Sequence, residues 1–282
     1  MSTVSATGNT GSTGRRPGDP SLRIGPRSAL VLALVSAVGL MMLGWPLLLD
    51  VPDGARVDPP FLFLALLPLL IVMVLAEMTE GGMDARVLAI LGLLSAVNGV
   101  LRGLGAGVAG LELVFFLLIL GGRVLGPAFG FVLGCTSLFV SALFTAGVGP
   151  WLPFQMLVAG WVGMGAGLLP RRFTGRAEIV VLVVYGIVAA YLYGALMNLW
   201  GWPFMLGIEV PGHEATDLSF VSGAPFTENL HRFALYTLFT STGGWDTGRA
   251  VTNAVAIALL GPAVLSSLRR AARRARVERT VP

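Results

Sequence analysis

Hydrophobic runs of bilayer-crossing length recur along this 282-residue chain, and very few folds can absorb them. They fall at about 28–49, 61–77, 86–101, 109–121, 124–146, 151–169, 178–200 and 249–268, separated by Gly, Pro and charged clusters. Inside lipid no water is present to satisfy a bare peptide group, so such runs must close their hydrogen bonds internally as helices. Composition agrees, because 55% hydrophobic and 12% charged residues leave too little polar surface to wrap a soluble domain. The sequence therefore predicts an all-α, polytopic membrane helical bundle of about eight transmembrane helices. The third and fourth runs are short for a full crossing. The stretch 231–240 is too short to span, and is expected to lie in the interface or to begin the last helix after a break at Gly243-Gly244.

Every basic residue is Arg, and their distribution sets the expected orientation. One face collects 15: Arg15, Arg16, Arg23 and Arg27, then Arg86, Arg123, Arg171, Arg172 and Arg176, then the six of the C-terminal tail. Arg56, Arg102, Arg232 and Arg249 fall on the other. Positive charge favours the cytoplasmic side, which places both termini there and makes the chain a multi-pass protein of the cytoplasmic membrane. The net charge of +4 resides largely in the two tails, which argues against nucleic-acid binding. Residues 1–27, rich in Ser, Thr, Gly and Arg, read as a disordered cytoplasmic tail rather than a cleaved signal. A helix pair at 28–85, a six-helix core at 86–268 and a basic cytoplasmic tail at 269–282 complete the expected domains. Cys135 is the single cysteine, so no internal disulfide can form.

Polar chemistry gathers at the ends of the predicted helices that face outward. Asn98, Arg102, Glu112, Trp151, Gln155, Asn198, Trp202, Trp245, Asp246, Arg249 and Asn253 are the candidate substrate-binding residues. Amides and guanidiniums at one depth, beside indoles that can stack on a planar ligand, suit an outward-facing pocket. Asp246, Arg249 and Asn253 share one helical face, where Asp246 can also cap the helix and pair with Arg249. Arg102 and Glu112 flank the glycine-rich loop 103–110 and either pair with each other or close that loop on a ligand. The long connection 201–232 holds His213 and Glu214 without metal-ligand spacing; it reads as a solvated loop, with a lid as its second role.

No buried nucleophile with a base, metal motif, cofactor motif or phosphate-binding loop stands out, so neither an intramembrane enzyme nor a self-powered pump is expected. Ala85, Ala89, Gly92 and Ala96 recur at helical spacing on the third run. They form a candidate partner surface that another helix can approach closely, the alternative being packing within the chain.

Residues from about 86 onward resemble the substrate-binding S component of energy-coupling factor (ECF) vitamin transporters. The likeness rests on Ala89-Ile-Leu-Gly-Leu-Leu-Ser-Ala-Val-Asn98, Gly126-Pro-Ala-Phe-Gly-Phe131, Gly149-Pro-Trp-Leu-Pro-Phe-Gln-Met156 and Gly244-Trp-Asp-Thr-Gly-Arg249, followed by Asn253 and Gly261-Pro262. It implies six helices around an outward-facing pocket for a vitamin or related small organic micronutrient. It also implies an alanine-rich first helix that docks on a transmembrane coupling subunit driven by two ATPase subunits. The first two predicted helices are additions that this pattern does not explain. A reading from another class is a membrane scaffold or assembly protein whose outer aromatic surface meets a protein partner; there the outer polar residues would satisfy one another.

Overall fold

The computed structural model describes residues 26–48, 69–70, 72, 76, 85–105, 110–145, 147–205, 212 and 218–277. Among these residues there is no strand. The helices are α1 (Pro26–Leu48), α2 (Ala85–Leu104), α3 (Val114–Leu125), α4 (Pro127–Phe144), α5 (Leu152–Leu168) and α6 (Gly175–Gly201). A 3-10 turn (Trp202–Phe204) follows, then α7 (Phe226–Thr237), a π-helical segment (Leu238–Asp246) and α8 (Thr247–Val277). Among the described residues, five helical stretches are long and apolar enough to cross a membrane: Ala29–Leu48, Ala85–Leu104, Pro127–Phe144, Gly175–Phe204 and Phe226–Arg274. Val114–Leu125 and Leu152–Leu168 are shorter apolar helices. Large apolar side chains such as Leu93, Leu104, Leu192 and Leu259 stand exposed along these helices, a surface that suits lipid.

Two expected boundaries moved for identifiable reasons. The predicted run 124–146 is cut at its start, because Gly126 adopts φ 101° and Pro127 opens α4 at its first turn. Proline fits there, where its missing N–H is not needed. The expected break at Gly243-Gly244 does not occur. The chain passes through both glycines in π-helical geometry and runs unbroken from α7 into α8. Of the predicted span 61–77, only positions 69, 70, 72 and 76 are described, all helical, so the count of eight rests on the sequence alone. The tail 1–25, loop positions 206–211 and 213–217 with His213 and Glu214, and residues 278–282 lie outside the described residues.

Glycine lets the centre of the bundle close. A Cβ on Gly130 of α4 would collide with the Gly163 carbonyl of α5, one on Gly163 with the Gly130 carbonyl, and one on Gly122 of α3 with Gly163 again. Backbone therefore touches backbone where α3, α4 and α5 cross, the close approach that small residues permit in membranes. Around this trio, α2 packs on α4, and α8 packs on α6 and α3. α1 lies chiefly against α6, and the Trp161 indole ties it to α5 by donating to Ser36 Oγ at 2.8 Å.

The bundle has two unlike ends. Arg123, Arg171, Arg269 and Arg273 surround one cleft, and nearby Arg86 of α2 donates to the Arg274 carbonyl at 3.3 Å. This is the arginine-rich end. The opposite end carries Arg102, Glu112, Gln155 and the start of α8.

Candidate functional site

At that opposite end, the short non-helical stretch before α3 supplies the centre of a charged cluster. Gly110 has φ 71°, open to glycine, and a Cβ there would collide with Gly248 Cα and the Trp245 carbonyl. The loop therefore lies directly on the first turn of α8, and Glu112 lands between two helices. Its Oε1 faces Arg102 Nε of α2 at 3.4 Å, and its Oε2 accepts from Arg249 Nε of α8 at 2.7 Å. The Asn253 amide donates to the Glu112 carbonyl at 2.7 Å and to the Arg249 carbonyl at 2.8 Å.

The π-helical segment supplies the second carboxylate. Ser241 Oγ donates to Asp246 Oδ2 at 2.7 Å, and Arg249 Nη1 donates to Asp246 Oδ1 at 3.0 Å. Residues five apart point about 140° away from each other on an α-helix. The wider π-turn, whose hydrogen bonds run i to i+5, brings Ser241 and Asp246 onto one side. Gly194 of α6 makes the room, since a Cβ there would collide with the Asp246 carboxylate. Asp246 is thus not the helix cap the sequence allowed for. Its pairing with Arg249 does form, in a setting where both side chains are buried. The Arg249 guanidinium also sits 5.0 Å above the Tyr193 ring and 5.9 Å above that of Phe115. Removing either partner of such a buried pair would strand the other charge.

Arg102 joins the cluster to α4 and α5. It donates to Ser141 Oγ at 3.1 Å and to Gln155 Oε1 at 3.2 Å. Two arginines and two acids from α2, the α2–α3 connection, the π-segment and α8 therefore balance in charge.

One helical turn deeper, the chemistry changes. Asn98 lies one turn below Arg102, Ser137 one turn below Ser141, and Asn253 one turn below Arg249, and all three are buried. Neither end of the Asn98 amide, nor Ser137 Oγ, nor Asn253 Oδ1 has a hydrogen-bond partner among the described residues. Leaving a buried polar group unsatisfied costs about 1–3 kcal/mol, so folded proteins rarely do it without cause.

The remaining candidates divide. The Asn198 amide nitrogen is buried and has no partner among the described residues, one turn along α6 from Gly194, and it makes no bond to the charged cluster. Trp151 is exposed over about two-fifths of its surface (41%), its indole donating to the Gly147 carbonyl at 3.1 Å, and Trp245 is exposed to a similar degree. Trp202 is fully buried, away from the charges. Its indole donates to the Leu218 carbonyl at 2.7 Å, and its ring packs on Phe220 and Phe233 with centroids 5.4 Å away. On α2, Ala85, Ala89, Gly92 and Ala96 all lie on an exposed face, and nothing lies within 4 Å of a Cβ built on Gly92.

Sequence reasoning did not identify Ser141, Ser241, Ser137, Tyr193 or Gly194 as site residues. Small hydroxyls and glycines in apolar helices carry little signal until the facing helix is known. It also passed over Glu178, which anchors the other end. Its oxygens accept from Arg123 Nε at 2.7 Å and from Arg269 Nη2 at 2.6 and 2.7 Å.

A family model described as the ECF transporter, substrate-specific component, matches residues 86–268 of the chain. No curated protein and no solved structure matches it.

Proposed function

The chain belongs to the family of substrate-specific components of ECF transporters, and from that premise we propose that it captures a vitamin or related small organic micronutrient in a pocket open to the cell exterior. The family is a membrane substrate-binding subunit and not an enzyme. It works with a transmembrane coupling subunit and ATPase subunits.

One observation carries the proposed capture site: beneath a self-neutralised ion-pair cluster, the Asn98 amide, Ser137 Oγ and Asn253 Oδ1 form a buried polar layer without partners among the described residues. The hydrogen-bonded cluster is the closed arrangement. Ligand entry parts Arg102 from Gln155 and Glu112, and the ligand satisfies the amides below. Because two guanidiniums face two carboxylates, net charge does little to attract the solute; hydrogen bonding selects it. Gln155, Asn198 and Asn253 then contribute contacts from α5, α6 and α8, and the exposed Trp151 and Trp245 border the mouth.

Orientation follows from the positive-inside tendency, which puts the arginine-rich end and both termini in the cytoplasm and the ion-pair cluster outside. The exposed small-residue face of α2 offers the docking surface for the coupling subunit. The 86–268 core holds the capture site and the docking surface, with the segment 28–85 as an N-terminal addition.

Mutual satisfaction of the outer ion pairs is what the scaffold reading expects. That reading leaves the deeper orphaned amides without a purpose. The test is to purify the full chain from its native membrane, extract it and identify any co-purified small molecule by mass spectrometry. Tryptophan quenching against a vitamin panel complements it. Recovery of a stoichiometric organic ligand, lost in Asn98→Leu, supports the reading; an empty protein that no vitamin quenches overturns it.

A further inference from the structure

At the arginine-rich end a cleft of about 380 Å³ opens between the end of α3, the loop after α5, the start of α6 and the last turns of α8. Arg123, Arg171, Phe173, Glu178, Arg269 and Arg273 line it, so four arginines face one carboxylate. We propose that this cleft is a binding site for a phosphate group, and that the phosphate belongs to an anionic phospholipid of the surrounding leaflet.

The cleft is built, not an accident of surface side chains. Arg123 and Glu178 are nearly inaccessible, with 6% and 4% of their side-chain surface exposed. Besides Glu178, Arg123 donates to the backbone carbonyls of Leu169 at 2.8 Å, Pro170 at 3.3 Å and Phe173 at 3.1 Å. A single buried guanidinium thereby fixes the curve of the loop that forms one wall. Arg123 is spent on this task and is not available for a ligand.

Arg269 and Arg273 are available. Arg269 meets Glu178 through Nη2 alone, and its side chain is 45% exposed. Its Nε and Nη1 have no partner among the described residues. Arg273, one turn further along the same helix, is exposed and makes no hydrogen bond with the described residues. Two guanidinium edges on one helical face suit the tetrahedral, multi-acceptor geometry of phosphate. Glu178 holds Arg269 in place and takes up only part of the positive charge.

Depth selects the source. Leu168 at the end of α5 and Val180 near the start of α6 are both more than half exposed, so the lipid-facing surface runs to the edge of the cleft. The guanidiniums begin where that apolar surface stops, which is headgroup level. Anionic lipids are attracted there by basic residues.

The test uses the detergent-purified full chain and native mass spectrometry, with phosphatidylglycerol and phosphatidylcholine as probes. Phosphatidylglycerol is expected to be retained in preference to phosphatidylcholine. Arg273→Gln should weaken its retention about fivefold, the contribution of one arginine near an anionic surface, and Arg269→Gln with Arg273→Gln more. Arg270→Gln removes the same charge from a neighbouring position that does not line the cleft, and should change little. If Arg270→Gln weakens retention as much as Arg273→Gln, the attraction is diffuse and the site is overturned. If millimolar inorganic phosphate stabilises the protein through Arg273 while phosphatidylglycerol shows no preference, the ligand is soluble phosphate and the lipid assignment is overturned. Because these variants lie at the end opposite Asn98, their outcome is independent of the capture site.

Discussion

Both ends of the bundle are built on arginine and carboxylate, yet they use that chemistry differently. The Arg123–Glu178–Arg269 cluster has one buried acid between two arginines, and the inner arginine also grips three loop carbonyls. Its buried pair, Arg123 and Glu178, cannot part without stranding a charge. The Arg102–Glu112–Arg249–Asp246 cluster is balanced, and its Arg102 and Glu112 side chains keep about a fifth of their surface in contact with solvent. Its Arg102–Glu112 contact is the longest ion pair of the two clusters, at 3.4 Å. The comparison teaches that ion pairing alone does not mark a functional site. On the proposed reading, what marks it is a pairing that can be exchanged at small cost, set over buried polar groups that lack a partner among the described residues.

The sharpest way to break this contrast is at the rigid end. Glu178→Gln removes the acid shared by Arg123 and Arg269, leaving the nearly inaccessible Arg123 without that counter-charge. A destabilisation of about 3 kcal/mol is expected, read as loss of thermal stability of the full chain in nanodiscs. Glu112→Gln should be distinctly milder, because water can reach Arg102 and Arg249 keeps Asp246 as its counter-charge. Equal losses for the two variants would erase the distinction between a fixed and an exchangeable cluster.

Gly194→Ala probes the packing that holds the exchangeable cluster. The added methyl would collide with the Asp246 carboxylate and push it from Ser241 and Arg249. An overpacking cost of about 2 kcal/mol is expected, together with loss of ligand quenching. Unchanged binding would mean that the π-helical placement of Asp246 does not shape the site.

Much of this arrangement was legible in the residues, and the unreadable part has a physical cause. Apolar runs and their breaks located the helices, since length and charge spacing are local properties. The collection of Asn98, Arg102, Glu112, Gln155, Asp246, Arg249 and Asn253 at one end was legible too, because helix direction and span order fix depth. Which side of each helix faces inward was not. The sequence places Trp151, Trp202 and Trp245 alike at outward-facing helix ends, yet Trp202 is sealed in an aromatic cluster while the others stay exposed. Nor could the sequence announce a π-helical turn at Leu238–Asp246, because no residue type demands one. Glu178 was overlooked since its partners lie 55 and 91 residues away.

Asn98→Leu tests the polar layer with an effect of opposite sign. Leu has the same branched heavy-atom skeleton as Asn, though bulkier, and it removes a donor and an acceptor that have no partner among the described residues. Replacing an unsatisfied buried amide should leave stability unchanged or raise it by about 1 kcal/mol. Ligand binding should fall at least about tenfold, because one or more hydrogen bonds to the solute are lost. A protein that becomes more stable and less able to bind is the signature of a residue kept for function. If Asn98→Leu destabilises the free protein, the amide already has a partner, and the layer beneath the ion pairs is structural.

The smallest effect on the isolated chain is expected midway between the two ends, on the exposed face of α2. A side chain added at Gly92 would meet nothing within 4 Å of its first carbon, and Ala89 is exposed, so Ala89→Leu with Gly92→Leu adds bulk where the bundle has room. Stability should change by no more than about 0.5 kcal/mol, as for surface substitutions generally. Vitamin quenching should also persist, because the inward face of the same helix, with Leu91, Leu94, Ser95 and Asn98, is untouched. Co-purification with the coupling and ATPase subunits should be lost, since a leucine ridge holds an approaching helix away from the backbone. Binding without assembly would show that α2 has two independent faces, one reading the solute through Asn98 and Arg102 and the other reading the partner. Full assembly by the double variant would mean that the coupling subunit docks elsewhere, and that the alanine and glycine spacing serves only to present a smooth surface to lipid.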